Sequence, residues 1–209
     1  MTLRTLWRDK RGISAVEFGL MLPMLALIGA GGLEFINYVL AYQKIERIAS
    51  ISADNVARNT LAPSERSFVD TFAGIDEIAT PFNLEQDGRV IVTGVIGVPE
   101  NGSIVAKIVW QRCTGRLAGV SSRIGSEWKA TPNWAEGPNV TLPNNITLLQ
   151  NQLVVVSEVA YRYRPLINVA QLRGHSPDGI IRQLSVFVSR GQAFPHITPS
   201  QGVTPAVCS

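Results

Sequence analysis

The chain has 209 residues, 45% of them hydrophobic and 17% charged, enough for one ordinary core with an appendage and too little for two full domains. Its formal net charge of +3 comes from Arg4, Arg8, Lys10 and Arg11 against Asp9, and the 15 basic and 15 acidic residues that follow cancel. A basic excess confined to a short leader excludes the basic face on a folded domain that nucleic-acid binding requires.

After residues 1–12 comes the uncharged run Phe18 to Leu33, FGLMLPMLALIGAGGL, and past Glu34 the apolar character resumes as FINYVLAY until Lys44. This stretch is long enough to cross a bilayer core of about 30 Å, which takes about 20 helical residues. The basic cluster on its N-terminal side places residues 1–12 in the cytoplasm and the chain beyond about Lys44 outside. A cleaved secretory signal has the same parts in the same order, with Ala30-Gly31-Gly32 as its small-residue end. Glu17 speaks against that alternative. An ionisable side chain costs about 2.5–3.5 kcal/mol at membrane depth, so one at the start of an apolar run implies a job and a partner, unless it snorkels to the headgroups. Pro23 removes a backbone hydrogen bond and is expected to kink the helix.

The apolar periodicity continues past the membrane stretch. Ile45, Ile48, Ala49, Ser52, Ala53, Val56 and Ala57 share one face, and Glu46, Arg47, Asp54 and Arg58 the other. Residues 13–59 read as one near-continuous helix of about 70 Å. A second helix is expected from about Ser64 to Ile78, opened by Pro63-Ser64 and closed before Pro81. The period then changes to that of strands: 89–98 and 103–111, joined by Pro99-Glu100-Asn101-Gly102 in a turn needing positive φ, then 153–164 and 184–190. The fold class is therefore α+β: a long N-terminal transmembrane helix packed on a small, mostly antiparallel sheet of about four strands. Residues 114–150 are too long for a simple connection and form a large loop or small subdomain, with Trp128 and Trp134 either capping the sheet or meeting a partner. The domain plan is leader 1–12, helix 13–59 and exported head 60–209.

Cys113 and Cys208 sit in no CxxC and in no Cys/His cluster of metal-ligating spacing. One disulfide in an oxidising compartment is the favoured reading, and two unpaired thiols the other. His175 and His196 have no HExxH or carboxylate pair, His175-Ser176-Pro177-Asp178 is only adjacency in a turn, and no phosphate loop or nucleophile elbow occurs. The residues point to no catalytic site, metal or cofactor.

The word Arg11-Gly12-Ile13-Ser14-Ala15-Val16-Glu17-Phe18, followed by Gly19-Leu20-Met21-Leu22-Pro23, resembles the class III signal of type IV-like prepilins. More narrowly it resembles the TadE-like family of tight-adherence (Flp-type) pilus systems, with their Gly-x-x-A-x-E-F-x-L-x-x-P word. The likeness runs on through Gly32-Leu33-Glu34-Phe35 and the Ala-rich stretch ending at Arg58. It implies a pilin-like minor pilin needed for pilus biogenesis or adherence, cut by a prepilin peptidase between Gly12 and Ile13. The carboxylate of Glu17 would then pair with the free amine of Ile13, within one chain or between neighbours, while Phe18, Pro23 and Glu34 complete the helix motif. The implied partners are that peptidase, other pilin-like subunits, the pilus assembly machinery and inner-membrane lipid. The implied location is the bacterial inner membrane as a single pass with a periplasmic C-terminal domain, or the extracellular pilus. The competing function is a secreted or periplasmic β-rich binding protein with an ordinary signal peptide.

Overall fold

The computed structural model describes residues 13–59, 62–130, 133–166, 179–191 and 196–208. The leader, Gly12, His175 and Asp178 lie outside the described residues. Two compact units divide the rest: one holds 13–40 with Pro165 and Leu166, the other 41–164 with 179–208.

A single helix, α1 (Ile13–Ala57), runs through Pro23 and through the glycines at 29, 31 and 32. In the first unit its apolar side chains are exposed all round. From Ala41 the pattern changes: Ala41, Ile45, Ile48, Ala49, Ala53, Val56 and Ala57 are buried, recurring at three- and four-residue spacing while Glu46 and Arg47 stay outside. Alanines and Ser52 on this stripe let the helix approach its neighbours closely, and the Ser52 hydroxyl donates back to Ile48 O at 2.6 Å.

The second helix, α2 (Glu65–Ala79), starts where Ser64 offers a capping box: its hydroxyl accepts from Ser67 N at 3.2 Å, and Ser64 N donates to Ser67 Oγ at 3.1 Å. Phe68, Phe72, Ile75 and Ala79 line its buried face. Its last turn is tied down by Lys44, whose ammonium donates to Ile78 O at 2.9 Å and Thr80 O at 3.1 Å. A one-turn helix, α3 (Leu84–Asp87), leads into the sheet.

Among the described residues the sheet has five strands rather than about four, all pairs antiparallel, in the order β3-β2-β1-β4-β5: β1 (Gly88–Glu100), β2 (Ser103–Thr114), β3 (Asn139–Val140), β4 (Leu153–Arg162) and β5 (Ile180–Val188). The extra strand is two residues inside the 114–150 segment. The β1–β2 turn takes positive φ at both Asn101 (50°) and Gly102 (82°), the geometry a two-residue hairpin needs. The last strand begins four residues before the expected Leu184 and ends at Val188, because Ile180 to Gln183 pair with Arg162 to Val159. Those four residues alternate too weakly in polarity to read as strand by themselves.

Two apolar layers enclose the sheet. On one face Val90, Val92, Ile96, Trp110, Val155, Val159 and Tyr161 pack with α1 and α2. Each large side chain so buried contributes about 1.5–3 kcal/mol. Phe68 meets Trp110 edge-on, ring centroids 5.3 Å apart. The indole crosses Gly94, where any Cβ would overlap the ring, and the β1–β2 register shifts at Gly94/Val95. The other face is covered as well: Val95, Ile108, Val154 and Val156 pack with Ile124, Leu142 and Leu148 from the 114–150 segment. That segment is the second layer of the head. Trp134 packs, partly buried, against the helix-side core, and Trp128 is half-buried beside Gly137.

Candidate assembly site

The surface that most needs an explanation lies in the first unit. Phe18, Leu20, Met24, Leu27, Leu33 and Phe35 are 61–76% exposed and, at 3.6 residues per turn, point in every direction around α1. An apolar surface on all sides of a helix is stable only in lipid or among other apolar helices. By length and composition α1 can cross a membrane, and none of its most apolar window is buried within the chain. Cβ atoms added at Gly19, Gly29, Gly31 or Gly32 would meet nothing within 4 Å, so these positions form bare backbone open to a neighbour.

Glu17 is the one ionisable side chain from Ser14 to Leu33, one turn into α1 from Ile13. It is exposed and makes no hydrogen bond or ion pair among the described residues. Glu34 differs: it is half-buried and its carboxylate accepts from Leu166 N at 2.8 Å, so it is engaged within its own unit. The structure therefore separates the two acids of the helix motif, Glu17 open and Glu34 held. Phe18 lies exposed beside Glu17, and Pro23 sits within the continuous helix.

In the head, Cys113 and Cys208 are joined by a disulfide with their Cα atoms 5.0 Å apart. Beside it the chain is pinned again, Cys113 N donating to Ala206 O at 2.8 Å. A half-open cleft of about 510 Å³ lies against the disulfide, lined by Arg89, Gln111, Ser122, Ser126, Glu127 and Lys129 among others. Burial pushes the Glu127 carboxyl above the usual carboxylate range, opposed by Arg112 and Lys129. Ser122 Oγ donates to Glu158, with Arg123 N donating to the same carboxylate at 2.8 Å. These two bonds tie the 114–150 segment to β4. Among the described residues no group of three or more His, Cys, Asp or Glu could hold a metal ion.

Sequence reasoning did not anticipate the buried pair Arg112–Glu65. The guanidinium Nε donates to both Glu65 oxygens at 3.1 and 3.0 Å, Nη2 closes a further contact, and both side chains are about nine-tenths buried. The available signal was Glu65 directly after the capping Ser64; its partner 47 residues away carried none.

Residues 12–54 match the family model described as TadE-like protein. The TadE-like segment thus starts at Gly12, takes in Glu17, Phe18, Pro23 and Glu34, and ends three residues before α1 does. The match covers 43 of the 209 residues, and over that segment the chain is similar to TadE-like proteins. No curated protein and no solved structure matches the chain.

Proposed function

We propose that this protein is a minor pilin of a Tad-type, type IV-like pilus, working by assembly through α1. The observation that carries the reading is an acid exposed at the start of a helix that is apolar on every side, inside the TadE-like segment. A prepilin peptidase cuts between Gly12 and Ile13, and the leader 1–12 stays in the cytoplasm. The new amine at Ile13 lies one helical turn from Glu17, so the two can pair within a chain or between adjacent subunits. In an apolar surrounding such a pair offsets much of the desolvation cost of both charges and sets the axial register of an incoming subunit. The open positions at Gly29 and Gly32, three residues apart on one face of α1, support close packing of that subunit's helix. Before assembly, residues 13–40 are stored in the inner membrane and the head, 60–209, is periplasmic. The partners are the peptidase, other pilin-like subunits and the assembly machinery.

Two measurements test this. N-terminal sequencing of the mature protein should return Ile13; a start downstream of Ala30 would establish an ordinary signal peptide and a secreted binding protein instead. Changing Glu17→Ala should abolish incorporation into pili while membrane insertion and processing persist, and normal pili in that variant would refute the charge-pairing role.

A further inference from the structure

The two edges of the sheet are treated differently. At one, β3 covers two residues of β2, and the far end of β2 is bound by the chain near the disulfide, with Arg112 bridging Val207. At the other, β5 pairs with β4 and, among the described residues, with no further strand. The parity of that ladder is fixed at both ends: Tyr163 N donates to Gly179 O at 3.0 Å, and Ser189 N to Leu153 O at 2.9 Å. In an antiparallel pair such residues alternate with ones whose main-chain groups point away. Ile180, Arg182, Leu184, Val186 and Val188 therefore present N–H and C=O groups outward, and among the described residues no hydrogen bond reaches them.

This edge lacks the usual defences. Nine residues long, it carries no proline and no lysine, its register with β4 is unbroken, and its only charge is Arg182. Two of these residues, Arg182 and Leu184, line a groove of about 470 Å³ together with Arg123, Ile124, Leu142 and Pro143. The groove is apolar at Ile124, Leu142 and Leu184 and cationic at Arg123 and Arg182. Neither guanidinium has an ion-pair partner among the described residues, and the nearby Glu158 is occupied by Ser122 and Arg123 N.

We propose that the free edge of β5 accepts an extended acidic segment of a partner protein as a sixth strand. Residues opposite one another across two strands share a face, so the residue beside Leu184 drops an apolar side chain into the groove. The residue two positions along, beside Arg182, brings a carboxylate to the guanidiniums, an apolar-x-acidic pattern at strand spacing. A second copy of β5 is the poorer occupant: its sequence, IIRQLSVFV, has no acid and would bring further arginines to the seam. The inference is independent of Glu17 and of leader cleavage.

The test uses the full chain in detergent micelles and fluorescein-labelled nonapeptides of alternating Thr and Val with a central Leu-Thr-Glu. The acidic peptide should bind at least tenfold more tightly than its Lys counterpart, and N-methylation of its alternate edge-facing amides should abolish binding. Val186→Pro removes an outward N–H without touching the β4 ladder and should abolish binding with the circular dichroism unchanged. Arg182→Glu should reverse the preference toward the Lys peptide, which keeps the test valid if the proline variant misfolds. Equal binding of N-methylated and plain peptides, indifference to Arg182→Glu, or absence of binding by the acidic peptide would overturn the proposal. So would a dimer in sedimentation that Val186→Pro dissolves, since a second copy would then hold the edge.

Discussion

Removing Arg112 should be the most damaging single change in the head that leaves every apolar contact in place. The guanidinium holds Glu65 through Nε at 3.1 and 3.0 Å, donates from Nη1 to Gln111 O at 2.8 Å, and lies 3.6 Å from Glu127. With side-chain exposures of 10% for Arg112 and 6% for Glu65, little water can replace these partners. Arg112→Met leaves the Glu65 carboxylate buried and removes the one guanidinium it shares with Glu127, so that the two acids face each other without it. Breaking a buried pair from one side costs about 3–5 kcal/mol. Glu65 occupies the first turn of α2, whose positive end returns about 0.3–1 kcal/mol, so the expected loss is about 3–4 kcal/mol. For a domain of this size that lowers Tm by about 6–16 °C. Glu65→Gln should cost less, about 1–3 kcal/mol, because Arg112 keeps Glu127 and Gln111 O. The double variant Arg112→Met with Glu65→Gln should recover much of the loss, since no lone buried charge remains at Glu65. The assay is urea unfolding of the full chain in micelles, followed by near-ultraviolet dichroism of buried Trp110. An Arg112→Met loss under about 1 kcal/mol, or a double variant no better than the single, would refute the buried-charge account.

Three further outcomes follow from other parts of the head. Gly94→Ala places a methyl inside the Trp110 indole and should destabilise by about 1–3 kcal/mol or more with altered near-ultraviolet dichroism, whereas Gly102→Ala in the open hairpin turn leaves that signal unchanged. Replacing Cys113 and Cys208 by Ser opens a link of sequence separation 95, for which chain entropy gives about 4.7 kcal/mol. Because backbone bonds at Ala206 and Thr198 still hold the chain there, a loss of about 2–4 kcal/mol in non-reducing unfolding is expected. The folded Glu127 carboxyl is raised above its unfolded value, chiefly by burial, so between those two values the folded state holds a proton that the unfolded state lacks. That contribution favours folding on acidification and is lost as pH rises through the window. Glu127→Gln should therefore flatten the pH dependence of stability just above the ordinary carboxylate range, and an unchanged slope would count against it.

The elements legible from residues alone were those whose pattern needs no distant partner. The capping Ser64, the Asn101-Gly102 turn and the three- and four-residue spacing of Ile45 to Val56 each decide their own backbone, so α1, α2 and the β1–β2 hairpin were readable within a few residues. The remainder depended on tertiary pairing. Asn139 and Val140 become strand only because Lys107 and Ala106 lie beside them. Ile180 to Gln183 extend β5 only because β4 offers Arg162 to Val159 as partners. Residues 114–150, dense in Gly, Pro and Asn, hid a regular role, since Ile124, Leu142 and Leu148 are too widely spaced to mark a face yet together cover the second side of the sheet. In the candidate assembly site Glu17 stood out by its charge in an apolar run. The difference between Glu17 and Glu34 was not readable, because it rests on a backbone N–H from Leu166, 132 positions away.

One helix is asked to satisfy two surroundings, and the TadE-like segment spans the change between them. Up to Leu40 the helix must be apolar on every side, with small residues where another helix can approach and a single acid near its start. From Ala41 it must carry a buried stripe and a wetted face. Few sequences meet both demands in one unbroken helix, so a compact motif can describe it. The strands of the head face a looser requirement. Val90, Val92, Val155 and Val156 fill layers that other β-branched residues of like volume could fill as well. That asymmetry accounts for a family pattern that ends at Asp54, just where α1 has committed its buried face to the core. The head, residues 60–209, lies outside the matched segment, so features such as the edge strand β5 belong to the part of the chain that the family pattern does not describe.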